Sequence, residues 1–120
     1  MTPTDAELMR RSATDPELFA TIFERHFATI YRYLYRRVGA SLADDLASQT
    51  FTEAFARRVR YDPQWPVALP WLYGIASNLL RRHHRTENRQ LRAYARVGTD
   101  PIADDLSPLL DRLDAEVSGP

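Results

Sequence analysis

The 120-residue chain contains no cysteine, which excludes a disulfide framework, a thiolate nucleophile and cysteine-ligated zinc. No stretch approaches the ~18 apolar residues that a membrane-spanning helix needs, and the N-terminus lacks the apolar run of a signal peptide. The four glycines are isolated, so no glycine-rich phosphate loop is present. The length fits one compact domain with room for a tail. These absences predict a cytoplasmic domain without a membrane segment.

Lysine is also absent, so all 16 basic residues are arginine, and their distribution is uneven. Residues 1–24 hold two arginines and five acidic residues. Residues 25–96 hold thirteen arginines and five acidic residues, and residues 97–120 hold one arginine and six acidic residues. The formal net charge of zero therefore conceals a basic middle between acidic ends. Such a middle predicts a body that binds a polyanion. The alternative is that the arginines only solvate helix faces.

Apolar residues recur at helical spacing throughout, with no strand-like alternation, which predicts an all-α fold. Thr4–Glu7 has the form of a capping box and predicts a short helix to about Ala13. Asp15–Glu17 is a second helix start, with Pro16 at the first helical position. A long helix should follow and end at Gly39. Its apolar residues are Phe19, Ile22, Phe23, Phe27, Ile30, Leu34 and Val38.

Two further long helices are predicted, which makes a small bundle of three main helices plus the short N-terminal one. Ser41 is expected to cap the first of them, which runs to about Arg58. Its inner face is predicted to hold Leu42, Leu46, Thr50, Ala54 and Phe55. Residues 60–69 are too rich in proline for a helix, and Pro70 is well placed to start the third, which continues toward Arg96. Its core stripe is predicted to be Leu72, Ile75, Ala76, Leu79 and Leu80.

The composition changes near residue 98. We predict a domain over residues 1–97 and an acidic linker or tail over 98–120, with short helical turns near 101–106 and 108–116.

Arginines along the third long helix are spaced to share one face. We call Arg81, Arg85, Arg89, Arg92 and Arg96 the arginine row. At 1.5 Å per residue the row is about 22 Å long, and Arg82 widens its first turn. Guanidinium groups in such a row can each hold a phosphate through charge-assisted hydrogen bonds. A merely solvated face would normally mix charges, but only Glu87 interrupts this one.

Aromatic and basic residues alternate in the proline-rich segment before that helix. Tyr61, Trp65 and Trp71 follow closely on Arg58 and Arg60. Rings and arginines on a rigid loop suit unstacked single-stranded bases, which stack on the rings while their phosphates meet arginine. The alternative is that the two tryptophans pack the loop onto the core.

No catalytic, cofactor or metal site is expected. His83 and His84 are adjacent and point in different directions on a helix, and no acid stands at metal-ligand spacing around them. Asp44 and Asp45 likewise face different ways, and Asp44 is explained by its place near a helix start. No nucleophile-elbow motif is present.

Two segments resemble a known family. Asp44–Phe55 resembles the "(E/D)DL-x-QE-x-F-x-x-A" signature of region 2 in sigma-70-type factors. Pro70–Asn78 resembles the "WLYGIARN" signature of their extracytoplasmic-function (ECF) group. The order, the separation and the preceding aromatic and basic residues of the first long helix also match. The likeness covers roughly residues 8–96.

This resemblance implies a transcription initiation factor with two working surfaces. The second long helix would bind the β′ clamp helices of core RNA polymerase. By position, the residues expected there are Asp45, Ser48, Gln49, Phe51 and Phe55. The loop and third helix would recognise and open the promoter −10 element and capture a base extruded from the non-template strand. The residues expected there are Arg58, Arg60, Tyr61, Trp65, Trp71, Asn78, Arg81, Arg82 and Arg85.

Three departures qualify the resemblance. Ser48-Gln49 replaces the usual Gln-Glu and removes one negative charge, and Ser77 replaces the frequent arginine before Asn78. No counterpart of the C-terminal helix-turn-helix domain that reads the −35 element is expected, which fits either a shortened chain or a one-domain variant. An anti-sigma factor is a further candidate partner. The competing hypotheses are a helical adaptor for an acidic partner and a nucleic-acid-binding domain without promoter specificity.

Overall fold

The computed structural model describes residues 2–98, and this part of the chain is helical and contains no strand. Its elements are α1 (Asp5–Arg11), a 3₁₀ turn (Pro16–Leu18), α2 (Phe19–Val38), α3 (Ala40–Ala56), a second 3₁₀ turn (Arg58–Arg60) and α4 (Leu69–Gly98). The predicted all-α fold of three long helices and one short N-terminal helix is confirmed. The acidic segment predicted from residue 98 onward lies outside the described residues.

The chain divides into two compact units, Met1–Ala76 and Ser77–Pro120. Helix α4 begins in the first unit, and its later turns belong to the second. The predicted boundary near residue 97 falls at the limit of the described residues and stays a prediction. No helix between residues 2 and 98 is long and apolar enough to cross a membrane.

The short helix α1 begins as its sequence predicts. The side chain of Thr4 accepts a hydrogen bond from the backbone N–H of Glu7 at 3.1 Å, which satisfies one of the free donors of the first turn. The helix ends at Arg11 rather than near Ala13. Buried Ser12 ends it, since its backbone N–H donates to Leu8 and its hydroxyl donates to the carbonyl of Met9 at 2.6 Å.

Gly39 joins α2 to α3 without a loop. Its φ of 84° lies in the left-handed region that favours glycine, and its N–H donates to the Tyr35 carbonyl at 3.0 Å to end α2. Its own carbonyl accepts from the N–H of Ala43 at 3.0 Å, so α3 begins immediately at Ala40. The prediction that Ser41 caps α3 is therefore wrong, because Ser41 already lies within the first turn.

The core of the first unit lies mainly between α2 and α3. Ile22, Ile30 and Leu34 of α2 are fully buried. The buried residues of α3 are Ala43, Leu46, Ala47, Thr50, Phe51 and Ala54. Leu46, Thr50 and Ala54 were predicted on this face, but Leu42 is only half-buried and Phe55 is 37% exposed. Three alanines on the inner face let α3 pack closely on α2, and the Phe55 ring packs on Phe19 at 5.4 Å while staying partly exposed.

Helix α4 begins at Leu69, one residue before the predicted start. The N–H of Leu72 donates to the carbonyl of Ala68 at 2.9 Å and closes the first turn. Proline is tolerated in that turn because its missing N–H would have no intrahelical acceptor there. Every residue of the predicted core stripe is buried: Leu72, Ile75 and Ala76 in the first unit, and Leu79 and Leu80 in the second.

Candidate functional site

The proline-rich segment between α3 and α4 is organised around Tyr61. Its ring is 6% exposed and lies edge-to-face against both tryptophans, at 5.6 Å from Trp65 and 5.1 Å from Trp71. Its hydroxyl donates to the backbone carbonyl of Trp65 at 2.6 Å. Asp62 forms a turn with the backbone of Gln64 and Trp65. Tyr61 therefore holds the two tryptophans in place from below and is not itself a surface ring.

The tryptophans form the walls of a surface groove of about 490 Å³, which we call the aromatic groove. It is lined by Trp65, Pro66, Val67, Pro70 and Trp71. Trp65 is 46% exposed and Val67 52% exposed, while Trp71 is half-buried. Three of its lining residues are the prolines and valine between the rings, and these have few conformations to lose when a ligand binds. The groove can accept a flat apolar group such as a nucleobase.

The arginines beside this groove differ in availability. Arg60 is exposed, and Arg57 is exposed with Glu53 at 3.6 Å. Arg58 is engaged within the unit, because its Nε donates to the Ser12 carbonyl at 3.3 Å and its Nη1 donates to the Phe55 carbonyl at 2.9 Å. The guanidinium also lies 4.0 Å from the centre of the Phe55 ring. Of the two arginines predicted here to contact DNA, Arg60 is the one whose side chain forms no ion pair or hydrogen bond among residues 2–98.

A buried carboxylate fixes the other end of the same segment. Asp5 is 4% exposed, and its Oδ2 accepts from the backbone N–H of Ala68 at 2.7 Å. The same oxygen lies 2.7 Å from Nε2 of His26, and Oδ1 accepts from Arg25 at 2.9 Å. Helices α1 and α2 and the residue before α4 therefore meet at one side chain.

Two pKa values in this region depart from their ordinary values. Burial raises the pKa of Asp5, but the hydrogen bonds from Ala68, His26 and Arg25, with the charge of His26, more than offset this and leave that pKa below 3.8. Burial, with smaller contributions from Asp5 and Asp62, raises the pKa of the Tyr61 phenol to about 12. Asp5 is thus an acceptor and Tyr61 a donor at neutral pH, as their hydrogen bonds require.

The outward side of α3 carries most of the residues predicted to bind polymerase. We call Asp45, Ser48, Gln49 and Phe55 the α3 outer face, and all four are exposed. Phe51 does not belong to it. This ring is only 4% exposed and packs against Phe23 at 5.1 Å and Phe27 at 5.9 Å. Phe51 supports the helix from the core, and Phe55, in contact with Phe19, is the apolar residue that the outer face presents.

In the second unit, α4 presents the arginine row on its surface. Arg85, Arg89, Arg92 and Arg96 are exposed, and so is Arg82. Arg81 and Asn78 are half-buried. Burial alternates as expected for an amphipathic helix, because Leu80 and His84 are buried on another side.

No cluster of three histidine or acidic side chains that could hold a metal ion occurs in the described part of the chain. His83 lies 3.6 Å from Glu87, one turn later on α4.

Sequence reasoning missed two parts of the first unit. Asp5 was read only as part of a capping box, because nothing in the local sequence indicates a contact with Ala68. The sequence predicts a rigid proline-rich loop and a helix start at Pro70, but it does not indicate that Pro66, Val67 and Pro70 line a groove. Alternation of tryptophan with proline was the available signal for the groove.

Comparisons with known proteins show which family this chain is similar to. The family model described as sigma-70 region 2 matches residues 22–90. The ECF RNA polymerase sigma factor BldN of Streptomyces coelicolor is 34% identical over 87 residues, which cover 71% of this chain and 33% of that protein. The chain thus spans about one third of the length of this curated relative. No solved structure matches.

Proposed function

The chain belongs to the sigma-70 region 2 family, and we propose that it acts as a sigma subunit in transcription initiation, one that binds core RNA polymerase and recognises and opens the promoter −10 element. The observation that carries this proposal is the aromatic groove, in which an exposed tryptophan faces solvent on a segment held at both ends. On this basis the chain is a regulatory initiation factor that works with the polymerase in the cytoplasm, without catalytic activity of its own.

We propose that the aromatic groove binds a base of the non-template strand. Separating a base from its neighbours costs a few kcal/mol, and stacking on an aromatic ring returns about 1–3 kcal/mol per base. A ring that is already held in place loses little further entropy on binding. Tyr61 and the Asp5–Ala68 hydrogen bond supply this preorganisation, and exposed Arg60 is available for an adjacent phosphate.

The second unit contributes its own contacts to DNA in this proposal. Asn78 carries an amide that can donate to and accept from a base edge. The arginine row, with Arg82, neutralises backbone phosphates, so binding weakens as salt rises. The phosphate contacts of the arginine row set the position and affinity of the DNA, whereas the aromatic groove and Asn78 select its sequence.

The α3 outer face is the proposed contact with the β′ clamp helices of polymerase. Phe55 supplies an apolar anchor, and polar residues surround it, which is the usual composition of an interface centre and rim. Asp45 is the one acidic member, since Gln49 stands where the family usually has glutamate. The affinity should therefore depend on Phe55 and Asp45 more than on a row of charges. An anti-sigma factor is proposed as a further partner.

The test separates the two activities. Oligonucleotides bound by the reconstituted polymerase complex are first selected to define the preferred non-template sequence. Trp65→Ala and Asn78→Ala should then reduce promoter opening, measured with 2-aminopurine fluorescence, by about tenfold or more, since each removes a stacking or base-edge contact of over ~1.4 kcal/mol. Their affinity for core polymerase should not change.

Asp45→Ala combined with Gln49→Ala should weaken the association with core polymerase, measured by fluorescence anisotropy. Promoter opening at saturating protein should not change. The matched controls are Gln64→Ala, on the same loop outside the groove, and Glu24→Ala, which removes an exposed acidic side chain from α2; neither should alter either activity. Identical behaviour of the two sets of variants would contradict the assignment of two surfaces. A protein that binds neither polymerase nor one preferred sequence would be an adaptor instead.

A further inference from the structure

A second groove lies on the first unit, and neither the promoter-binding nor the polymerase-binding residues line it. It has a volume of about 280 Å³. Its lining residues are Thr29, Arg32, Tyr33, Arg36 and Arg37 of α2 and Tyr73 of α4. The five residues of α2 are spaced three and four apart and so share one face of the helix. We call this set the arginine pocket.

One arginine of the pocket is fixed in place. The Arg37 guanidinium stacks over the Tyr33 ring at 4.0 Å, and its Nη1 donates to the Tyr33 carbonyl at 3.0 Å. The Tyr33 ring lies edge-to-face on Tyr73 at 5.1 Å, which connects this arrangement to α4. The Nε–H of Arg37 is buried and has no hydrogen-bond acceptor among residues 2–98. A buried donor without an acceptor is costly, so the hydrogen-bonding capacity of Arg37 is not fully used within residues 2–98.

The positive charge of the pocket is uncompensated within the described part of the chain. None of Arg32, Arg36 and Arg37 forms an ion pair there. Three neighbouring cations on one face repel one another, and an anion relieves that repulsion.

The dipole of α2 explains the positions of only some of these arginines. Arg36 and Arg37 lie in the last turn of α2, where cations interact favourably with the helix dipole. That effect falls off within the last turn and does not extend to Arg32. It also leaves the buried Nε–H of Arg37 without an acceptor.

We propose that the arginine pocket is a phosphate-binding site. Guanidinium forks match phosphate oxygens in pairs, and the preorganised Arg37 loses little entropy when it binds one. The hydroxyls of Tyr73 and Thr29 are further donors for the remaining oxygens. The phosphate can belong either to a small phosphorylated molecule or to a nucleic-acid backbone, and the two sources offer the same chemistry. The site lies outside the surfaces proposed for promoter opening and polymerase binding.

Calorimetric titration of the full 120-residue protein tests this proposal. Pyrophosphate at low ionic strength is the first probe, and a single-stranded oligonucleotide is the second. Arg32→Gln with Arg36→Gln removes two exposed arginines of the pocket and should weaken pyrophosphate binding by about tenfold or more. Arg10→Gln with Arg11→Gln is the matched control, because it removes the same charge from the last turn of α1. That control should weaken binding by less than about twofold.

Arg37→Lys provides an independent variant that keeps the charge but loses the fork and the Nε–H. It should also weaken pyrophosphate binding, and thermal melting verifies that each variant is folded. A parallel loss of oligonucleotide affinity in the pocket variants identifies a backbone phosphate as the source, whereas an unchanged oligonucleotide affinity identifies a small phosphorylated molecule. The proposal is overturned if pyrophosphate does not bind, or if the pocket and control variants weaken its binding equally.

Discussion

The Oδ2 atom of Asp5 accepts a hydrogen bond of 2.7 Å from the backbone N–H of Ala68, a residue 63 positions later in the sequence. This contact fixes the end of the loop that carries the aromatic groove to the first helix of the chain. His26 of α2 contacts the same oxygen, and Arg25 donates to the other oxygen of the carboxylate. The position of the groove therefore depends on a residue that lies far from it in sequence.

Asp5→Asn should destabilise the protein by about 2–4 kcal/mol, because it removes a buried charge with three partners and leaves those partners underused. Urea unfolding followed by tryptophan fluorescence measures the change. The exposed Asp44→Asn is the control and should stay within about 0.5 kcal/mol of the wild type. An equal effect of both substitutions would contradict the structural role given to Asp5.

The stabilisation that Asp5 provides should decrease at acid pH. The pKa of Asp5 is lower in the folded protein than its ordinary value of 3.8, so its contribution is fully present above pH 3.8. It is lost as the pH falls below 3.8 and through the lower pKa of the folded state. The difference in unfolding free energy between wild type and Asp5→Asn should therefore shrink as the pH falls through this acid range.

Tyr61→Phe should cost about 1 kcal/mol, since it removes the hydroxyl that donates to the Trp65 carbonyl. The pKa of this phenol is raised from 10.0 to about 12, so its contribution is complete below pH 10 and is lost as the pH rises through about 12. Unfolding measured from pH 7 to 12 should show the difference between wild type and variant decline over that range. The control Tyr94→Phe, at a side chain 75% exposed, should change the unfolding free energy at pH 7 by less than about 0.5 kcal/mol.

Much of the architecture could be predicted because it depends on local pattern. The apolar spacing of α2 and the core stripe of α4 specify helices by themselves, and Gly39 specifies the end of α2. Ser41 was misassigned because a good capping residue does not cap when the preceding glycine already ends one helix and starts the next. At Ser41 the capping preference of the side chain is therefore overridden by the direct connection that Gly39 makes between α2 and α3.

The site was less predictable because its key contacts are long-range. The sequence indicates aromatic residues on a loop, but only packing shows that Tyr61 is buried beneath Trp65 and Trp71. Likewise, helical spacing places Phe51 and Phe55 on neighbouring turns of α3 and does not determine which of them enters the core. That choice depends on the position of Phe23 and Phe27 on α2.

Phe51 and Phe55 should consequently behave differently when each is replaced by alanine. Phe51→Ala should destabilise the protein by about 3–5 kcal/mol, as expected for a ring deleted from a core. Phe55→Ala should cost only about 1 kcal/mol in stability but should weaken binding to core polymerase. Urea unfolding and anisotropy titration measure the two quantities. The assignment is wrong if Phe51→Ala leaves stability unchanged.

The arginine row should increase the salt dependence of DNA binding. Each phosphate neutralised on a single strand contributes about 0.7 to the slope of log affinity against log salt concentration. Arg85→Gln with Arg89→Gln, both exposed in the second unit, should reduce that slope by about 1.4 and weaken binding to all sequences alike. Arg10→Gln with Arg11→Gln, in the last turn of α1, should leave the slope unchanged, because neither arginine belongs to the proposed phosphate contacts. Equal slopes for both double variants would mean that the net charge of the protein, and not the row on α4, attracts the strand.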